Sequence, residues 1–254
     1  MLVSLAVIAV LLSLVLTGFS LARKGADSAQ CLSSLSQLYR FVTVFSEQQN
    51  RGRWPNALEP QSEYAHWVMG DTEIVTSRTM IQTHVWAGPM AAKRYVSADA
   101  AEIVSFSCRA AMRRIPANDL LHNPQLYAMG SYYYSAALFT ASEMWDPEYP
   151  ERRARADDFR RSVGLHEVVF PSAKIAYFET AAYHGSGKRL GEFFKVGEGR
   201  LNVLCTDGHA LMVDPFAQEP PLSAPWSQFR TYYPLTDLLP FSSSAWGFRG
   251  IDLR

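Results

Sequence analysis

The first 22 residues, MLVSLAVIAVLLSLVLTGFSLA, contain no charged side chain. At about 1.5 Å of rise per residue such a run is long enough to cross the hydrocarbon core of a bilayer as a helix. Three arrangements are consistent with it. Ser20-Leu21-Ala22 has the small residues of a secretory cleavage site, but the basic segment that opens such a signal is missing. A plain membrane anchor fits as well. Arg23 and Lys24 directly after it, read by the positive-inside rule alone, put the rest of the chain in the cytoplasm. The third arrangement is a helix that begins in the membrane and continues beyond it.

The following residues favour the third. From Ser28 onward, Leu35, Leu38, Val42 and Phe45 fall at alternating spacings of three and four, with Cys31 one turn earlier, so one apolar stripe faces a partner surface. Asn50 and Gly52 tolerate a left-handed cap and Pro55 forbids continuation, which ends the helix near residue 50. If Gly18 and Gly25 bend the rod without breaking it, the two segments make one helix of roughly 75 Å. The chain then divides into a transmembrane part (1–22), an amphipathic continuation (23–50) and a globular part (51–254).

Near the other end stands LNVLCTDGHALMV, Leu201 to Val213. Asp207-Gly208 between apolar runs is a strong hairpin signal, because a type I′ turn needs positive φ at both central residues and Gly accepts it at no steric cost. Alternation then turns Val203 and Cys205 to one side and Asn202 and Leu204 to the other. Asp207 and His209 are also the weak alternative of a metal or proton-transfer site.

These features together resemble the type IV pilin-like proteins, in particular the planctomycete-type prepilin group with a C-terminal His-x9-Asp-Gly mark. The resemblance rests on CLSSLSQL (Cys31–Leu38), NRGRWP (Asn50–Pro55) and NVLCTDGH (Asn202–His209), with weaker support from GSYYYSA at Gly130 and VVFPSAKIAYFE at Val168. Two departures stand beside it. The chain starts at Met1 inside the apolar run, without the Gly, aromatic and Glu of the prepilin signature, and Gly197 occupies the position of the family's His. The resemblance implies a long helix packed on a largely antiparallel sheet, α+β in class, with the globular part outside the cytoplasmic membrane despite Arg23 and Lys24. It also makes Asp-Gly-His a structural turn rather than an established catalytic set.

After Pro55, short aromatic-rich runs read as strands: IVTS at Ile74, MIQTHVWAG at Met80, EIVSFSC at Glu102, SYYYSAALF at Ser131, EVVF at Glu167, KIAYFET at Lys174 and EFFKV at Glu192. PERRARADDFRR, Pro150 to Arg161, alternates signs like a solvated helix or loop. Pro215 to Trp226 is a proline-rich surface excursion. Enzyme motifs fail at needed residues. HEVVF has Phe170 where a zinc-protease helix needs its second His, and HGSGKR has Ala182 and Arg189 where a phosphate loop needs Gly and Ser or Thr. The six histidines fall in no metal-ligand spacing. Of the three cysteines, Cys31 and Cys108 are the pair that an oxidising compartment would bridge, tying helix to sheet, while Cys205 takes a core position as a buried thiol. Three reduced cysteines are the equal alternative.

Basic and acidic side chains number 24 each, which gives no electrostatic attraction for nucleic acid. The expected protein is therefore a structural, non-enzymatic pseudopilin or minor-pilin subunit of a type II secretion or type IV pilus-like assembly, with no cofactor and no catalytic residue. Its expected place is the inner membrane as a single-pass protein, with the globular domain periplasmic or extracellular. Its expected partners are the membrane and other pilin-like subunits, met through small residues such as Ala6, Ala9, Ser13 and Gly18. The alternative is a membrane-anchored envelope module that binds a glycan or protein and does not polymerise. A secreted hydrolase, cleaved after Ala22, is the least supported reading because no catalytic set is complete.

Overall fold

The apolar run and the amphipathic stretch form one uninterrupted helix, α1 (Leu2–Gln49), of 48 residues, about 72 Å long at the standard rise. The computed structural model describes residues 2–56, 65–69, 72–76, 87, 90, 105–113, 131–149, 151–152, 158–180, 183–184, 200–214 and 245–253. Gly18 and Gly25 sit in the helix with open space around them.

The two halves of α1 live in different surroundings. Val7, Ile8, Val10, Leu11, Leu12, Leu14, Val15, Leu16 and Phe19 are all exposed, on every side of the rod. Beyond Asp27 the pattern becomes one-sided, and Cys31, Leu35, Leu38, Val42 and Phe45 are fully buried, as their spacing predicts. Among the described residues no helix is long and apolar enough to cross a membrane. The charge-free run of the sequence extends beyond the stretch Val7–Phe19 in both directions.

The helix ends near residue 50 as expected, with Gly52 left-handed but Arg51 rather than Asn50 beside it. Arg51 (φ 56°) and Gly52 (φ 70°) take the left-handed conformations, and Gly52 N–H donates to the Ser46 carbonyl at 2.7 Å. Asn50 instead braces the segment after the helix, its Nδ2 donating to the carbonyls of Arg53 and Trp54, both at 2.9 Å. The Gly52 bond satisfies one of the carbonyls that a helix end leaves without partners, and Trp54 is buried in the core.

The helix lies against a four-stranded antiparallel sheet in the order β3 (Tyr132–Tyr134), β4 (Ile175–Glu179), β5 (Leu201–Cys205) and β6 (Ala210–Val213). A separate antiparallel pair joins β1 (Ala65–Met69) to β2 (Thr72–Thr76). The class is therefore α+β. A register shift between Ile175 and Tyr177 breaks the strict alternation of β4. In consequence neighbouring Ala176 and Tyr177 both join the core under α1, with Tyr132, Tyr134 and Leu204. Ile175 and Phe178 join a second cluster with Tyr133, Leu201, Val203 and Cys205. The expected division of Val203 and Cys205 from Leu204 holds.

Other strand expectations need correction. EVVF is not a strand: Leu165–Glu167 forms a 3-10 turn, and Val169 and Phe170 are exposed. Glu167 makes that turn by accepting the Gly164 N–H at 2.6 Å and pairing with Arg161. Ser105–Ser107 is a helical turn that leads into α2 (Arg109–Met112), not the end of a strand. SYYYSAALF is extended only over β3 and then winds into a 3-10 turn at Ala136–Leu138. EFFKV, Gly197, the stretch Pro215 to Trp226 and nearly all of MIQTHVWAG lie outside the described residues, as does the middle of the Arg-rich segment.

The C-terminal segment closes the sheet with a buried ion pair. Lys174 Nζ lies 2.9 Å from Asp252 Oδ1, both side chains fully buried, and Ile175 N–H donates to Asp252 Oδ2 at 2.8 Å. Burial pulls the Lys174 ammonium below its usual range, while Asp252 acts in the opposite direction.

Candidate functional site

Where the buried stripe of α1 begins, four side chains from distant parts of the chain converge. Among the described residues Cys31 is the first fully buried one of the helix. Cys108 stands just before α2, fixed by its N–H donating to Ser131 Oγ at 3.2 Å. Glu179 ends β4, opposite Tyr132 of β3, and His184 follows it by five residues. Cys31 Sγ and Cys108 Sγ are 2.7 Å apart, Cys108 Sγ is 3.5 Å from His184 Nε2, and His184 Nε2 is 3.0 Å from Glu179 Oε1. The four ligand-type atoms all lie within 4.8 Å of one another. Both cysteines and Glu179 are buried, and the His184 side chain is only 4% exposed.

Neighbours hold the carboxylate in place. Asn202 of β5 donates its backbone N–H to Glu179 Oε2 at 2.9 Å and its Nδ2 to Oε1 at 3.1 Å. At the edge of the cluster Asp27 of α1 pairs with Arg113, joining the helix to the end of α2.

The electrostatics follow from burial and mutual contact. The hydrogen bond with Cys108 draws Cys31 down to about 5, against burial and with help from His184. Burial pushes Cys108 far up. Burial also raises Glu179, opposed by His184 and by the Asn202 N–H. For His184, burial works against the charged ring, but contact with Cys31 and Glu179 outweighs it and lifts the imidazole to about 9.

Sequence reasoning paired Cys31 with Cys108, and the structure brings the two sulfurs together. It missed Glu179 and His184. Their only local signal is a spacing of five across a strand end, which matches no ligand motif. Cys205 is buried in the second cluster, at the core position its strand pattern named.

The Asp-Gly-His corner is a hairpin turn of a different type from the expected one. Gly208 N–H donates to the Cys205 carbonyl at 3.0 Å and Cys205 N–H to the His209 carbonyl at 2.9 Å. Gly208 has φ +94°, whereas Asp207 is not among the residues of positive φ. This is the three-residue loop in which a type I turn is followed by a left-handed Gly, and not the two-residue type I′ turn. Asp207 Oδ1 accepts the His209 N–H at 3.2 Å and sits 2.6 Å from His209 Nδ1. Both side chains are exposed by more than a third, and among the described residues no further metal-ligating group joins them. Gly208 also lets the corner sit close against the helix, since a Cβ placed there would meet the Tyr39 ring of α1 at 2.5 Å.

No protein-family model, curated protein or solved structure matches this chain.

Proposed function

We propose that this protein is a structural, pilin-like subunit: its apolar helix half is held in the cytoplasmic membrane, its globular part stands outside the cytoplasm, and it associates with like subunits through the helix. The observation that carries the reading is the change of environment along α1. One continuous helix has apolar side chains exposed on all sides over Val7–Phe19 and a single buried stripe from Cys31 to Phe45. In water the first half is costly, since each exposed large aliphatic or aromatic side chain forgoes roughly 1.5–3 kcal/mol of burial. Lipid or a bundle of like helices removes that cost. Small residues along it, Ala9, Ser13 and Gly18 among them, suit close helix packing. The cysteine-led stripe and the Asp-Gly corner that gave the pilin-like resemblance both meet in the contact between α1 and the β5–β6 hairpin, which agrees with the same reading.

The test is photo-crosslinking in cells with a photoreactive residue at Leu12, combined with protease treatment of spheroplasts. Membrane fractionation, digestion of the globular part and a ladder of crosslinked subunits are expected. Crosslinks to lipid alone would leave a non-polymerising anchored module as the correct description. Full protection from protease would overturn the orientation.

A further inference from the structure

We propose that Cys31, Cys108, Glu179 and His184 form a tetrahedral binding site for one divalent cation of the zinc class, which fastens α1 to the sheet. The donor set is the first reason. Two thiols, an imidazole and a carboxylate are the groups that zinc takes in four-coordinate protein sites.

Geometry is the second. With Zn–S near 2.3 Å and Zn–N or Zn–O near 2.0–2.1 Å, the edges of the coordination tetrahedron are about 3.8 Å between sulfurs, about 3.5 Å from sulfur to nitrogen and about 3.3 Å from nitrogen to oxygen. The Cys108 Sγ to His184 Nε2 distance of 3.5 Å matches its edge, and the 3.0 Å between His184 Nε2 and Glu179 Oε1 is close to its own. The sulfurs, at 2.7 Å, need to part by about 1 Å, and a rotation about the Cα–Cβ bond of either cysteine achieves this without moving backbone.

The third reason is the surrounding scaffold. Asn202 grips both oxygens of Glu179 from the backbone and side chain of β5, the kind of outer support that orients a ligating carboxylate. His184 points Nε2 at the cluster, and its buried Nδ1 has no hydrogen-bond partner among the described residues.

Charge is the fourth. Among the described residues the cluster gathers one buried carboxylate, two buried cysteines and one imidazole. A divalent ion on two thiolates, one carboxylate and a neutral imidazole leaves a net charge of only −1, and the protons carried by the sulfurs and by the imidazole depart to solvent on binding. The inference does not depend on the pilin-like reading, and its test does not involve membrane topology or assembly.

The test uses the full chain in mild detergent. Protein purified under thiol-alkylating quench is expected to carry one zinc per chain by native mass spectrometry, with Cys31 and Cys108 protected from alkylation. After chelation and anaerobic reduction, titration with cobalt(II) alone should give a thiolate-to-cobalt charge-transfer band and tetrahedral visible bands that saturate at one equivalent. Cys31→Ser should roughly halve the thiolate band, and His184→Gln and Glu179→Gln should each weaken cobalt binding at least tenfold. Cys205→Ser should leave the spectrum unchanged and reports that the fold survives substitution at a thiol. Recovery of Cys31 and Cys108 as a disulfide from the quenched protein would overturn the proposal. So would the absence of a thiolate band, or a cobalt affinity unchanged in His184→Gln.

Discussion

Substituting Gly208 tests how firmly the hairpin corner is seated on the helix. Two separate penalties follow from the structure. The first is conformational: φ is +94°, a region that side chains bearing a Cβ rarely enter, at a cost of order 1–3 kcal/mol. The second is steric: the new Cβ comes within 2.5 Å of Tyr39 Cδ1 and Cε1 and 3.0 Å of Cζ. Relieving that contact displaces a half-buried ring on α1, an overpacking cost of roughly 1–3 kcal/mol. Gly208→Ala should therefore destabilise by about 2–6 kcal/mol, and Gly208→Val by somewhat more. At about 2–4 °C per kcal/mol for a protein of this size, the Tm should fall by roughly 4–24 °C. The assay is thermal unfolding of the full chain in mild detergent, followed by tryptophan fluorescence. A double-mutant cycle separates the two terms. In a Tyr39→Ala background the steric part vanishes and the conformational part remains, so the penalty of Gly208→Ala should shrink by about 1–3 kcal/mol. His209→Gln, at an exposed position, should change stability by no more than about 0.5 kcal/mol. The reasoning is refuted if Gly208→Ala is neutral or if the Tyr39 background leaves its penalty intact. If His209→Gln is the most damaging of the three, the corner is a site and not only a turn.

Three further outcomes are expected. Asp252→Ala removes the carboxylate that the fully buried Lys174 ammonium and the Ile175 N–H both face, and should cost about 3–5 kcal/mol in chemical denaturation; a loss below about 1 kcal/mol would mean the pair is not buried. Asp27 is held below the ordinary carboxylate range first by its hydrogen bond from Arg113, so its contribution is present above the unfolded pKa and lost as pH falls through the folded one. Wild type should therefore exceed Asp27→Asn in stability at neutral pH and converge with it in acid, and a constant gap across that range would contradict the pairing. Cys205, buried with its thiol pushed up to about 12 first by burial, should react with a thiol reagent only after unfolding; labelling of the native protein would show that its cluster is open.

The helix was the most legible element, because a 3.6-residue repeat survives any change in the rest of the fold. Cys31, Leu35, Leu38, Val42 and Phe45 are the residues its stripe names. The β5–β6 hairpin was equally plain, since Asp-Gly between apolar runs has few other uses. The turn type was not, because type I′ and type I with a following left-handed Gly share the same dipeptide and differ in how the neighbouring Thr206 is placed. EVVF misled for a different reason. Its β-branched residues suit a strand, but Glu167 is engaged with Gly164 and Arg161, and that side-chain hydrogen bonding favours a tight turn. The metal-type cluster was the least legible. Cys31, Cys108, Glu179 and His184 come from a helix, a turn, a strand end and a loop, and only tertiary pairing makes them neighbours.

The Lys174–Asp252 clasp also sets a timetable for synthesis. The two residues are 78 positions apart, an interval of roughly 4–16 s at ribosomal rates of 5–20 residues per second. Throughout that interval the nascent chain holds a completed β4 segment, IAYFE, whose leading lysine has no access to the carboxylate that makes its burial tolerable. A free ammonium next to an aromatic strand resists stacking against another chain, as edge lysines do in mature sheets. The buried pairing of Lys174, and with it the Ile175 N–H bond at the start of β4, is thus tied to the emergence of the segment that carries Asp252.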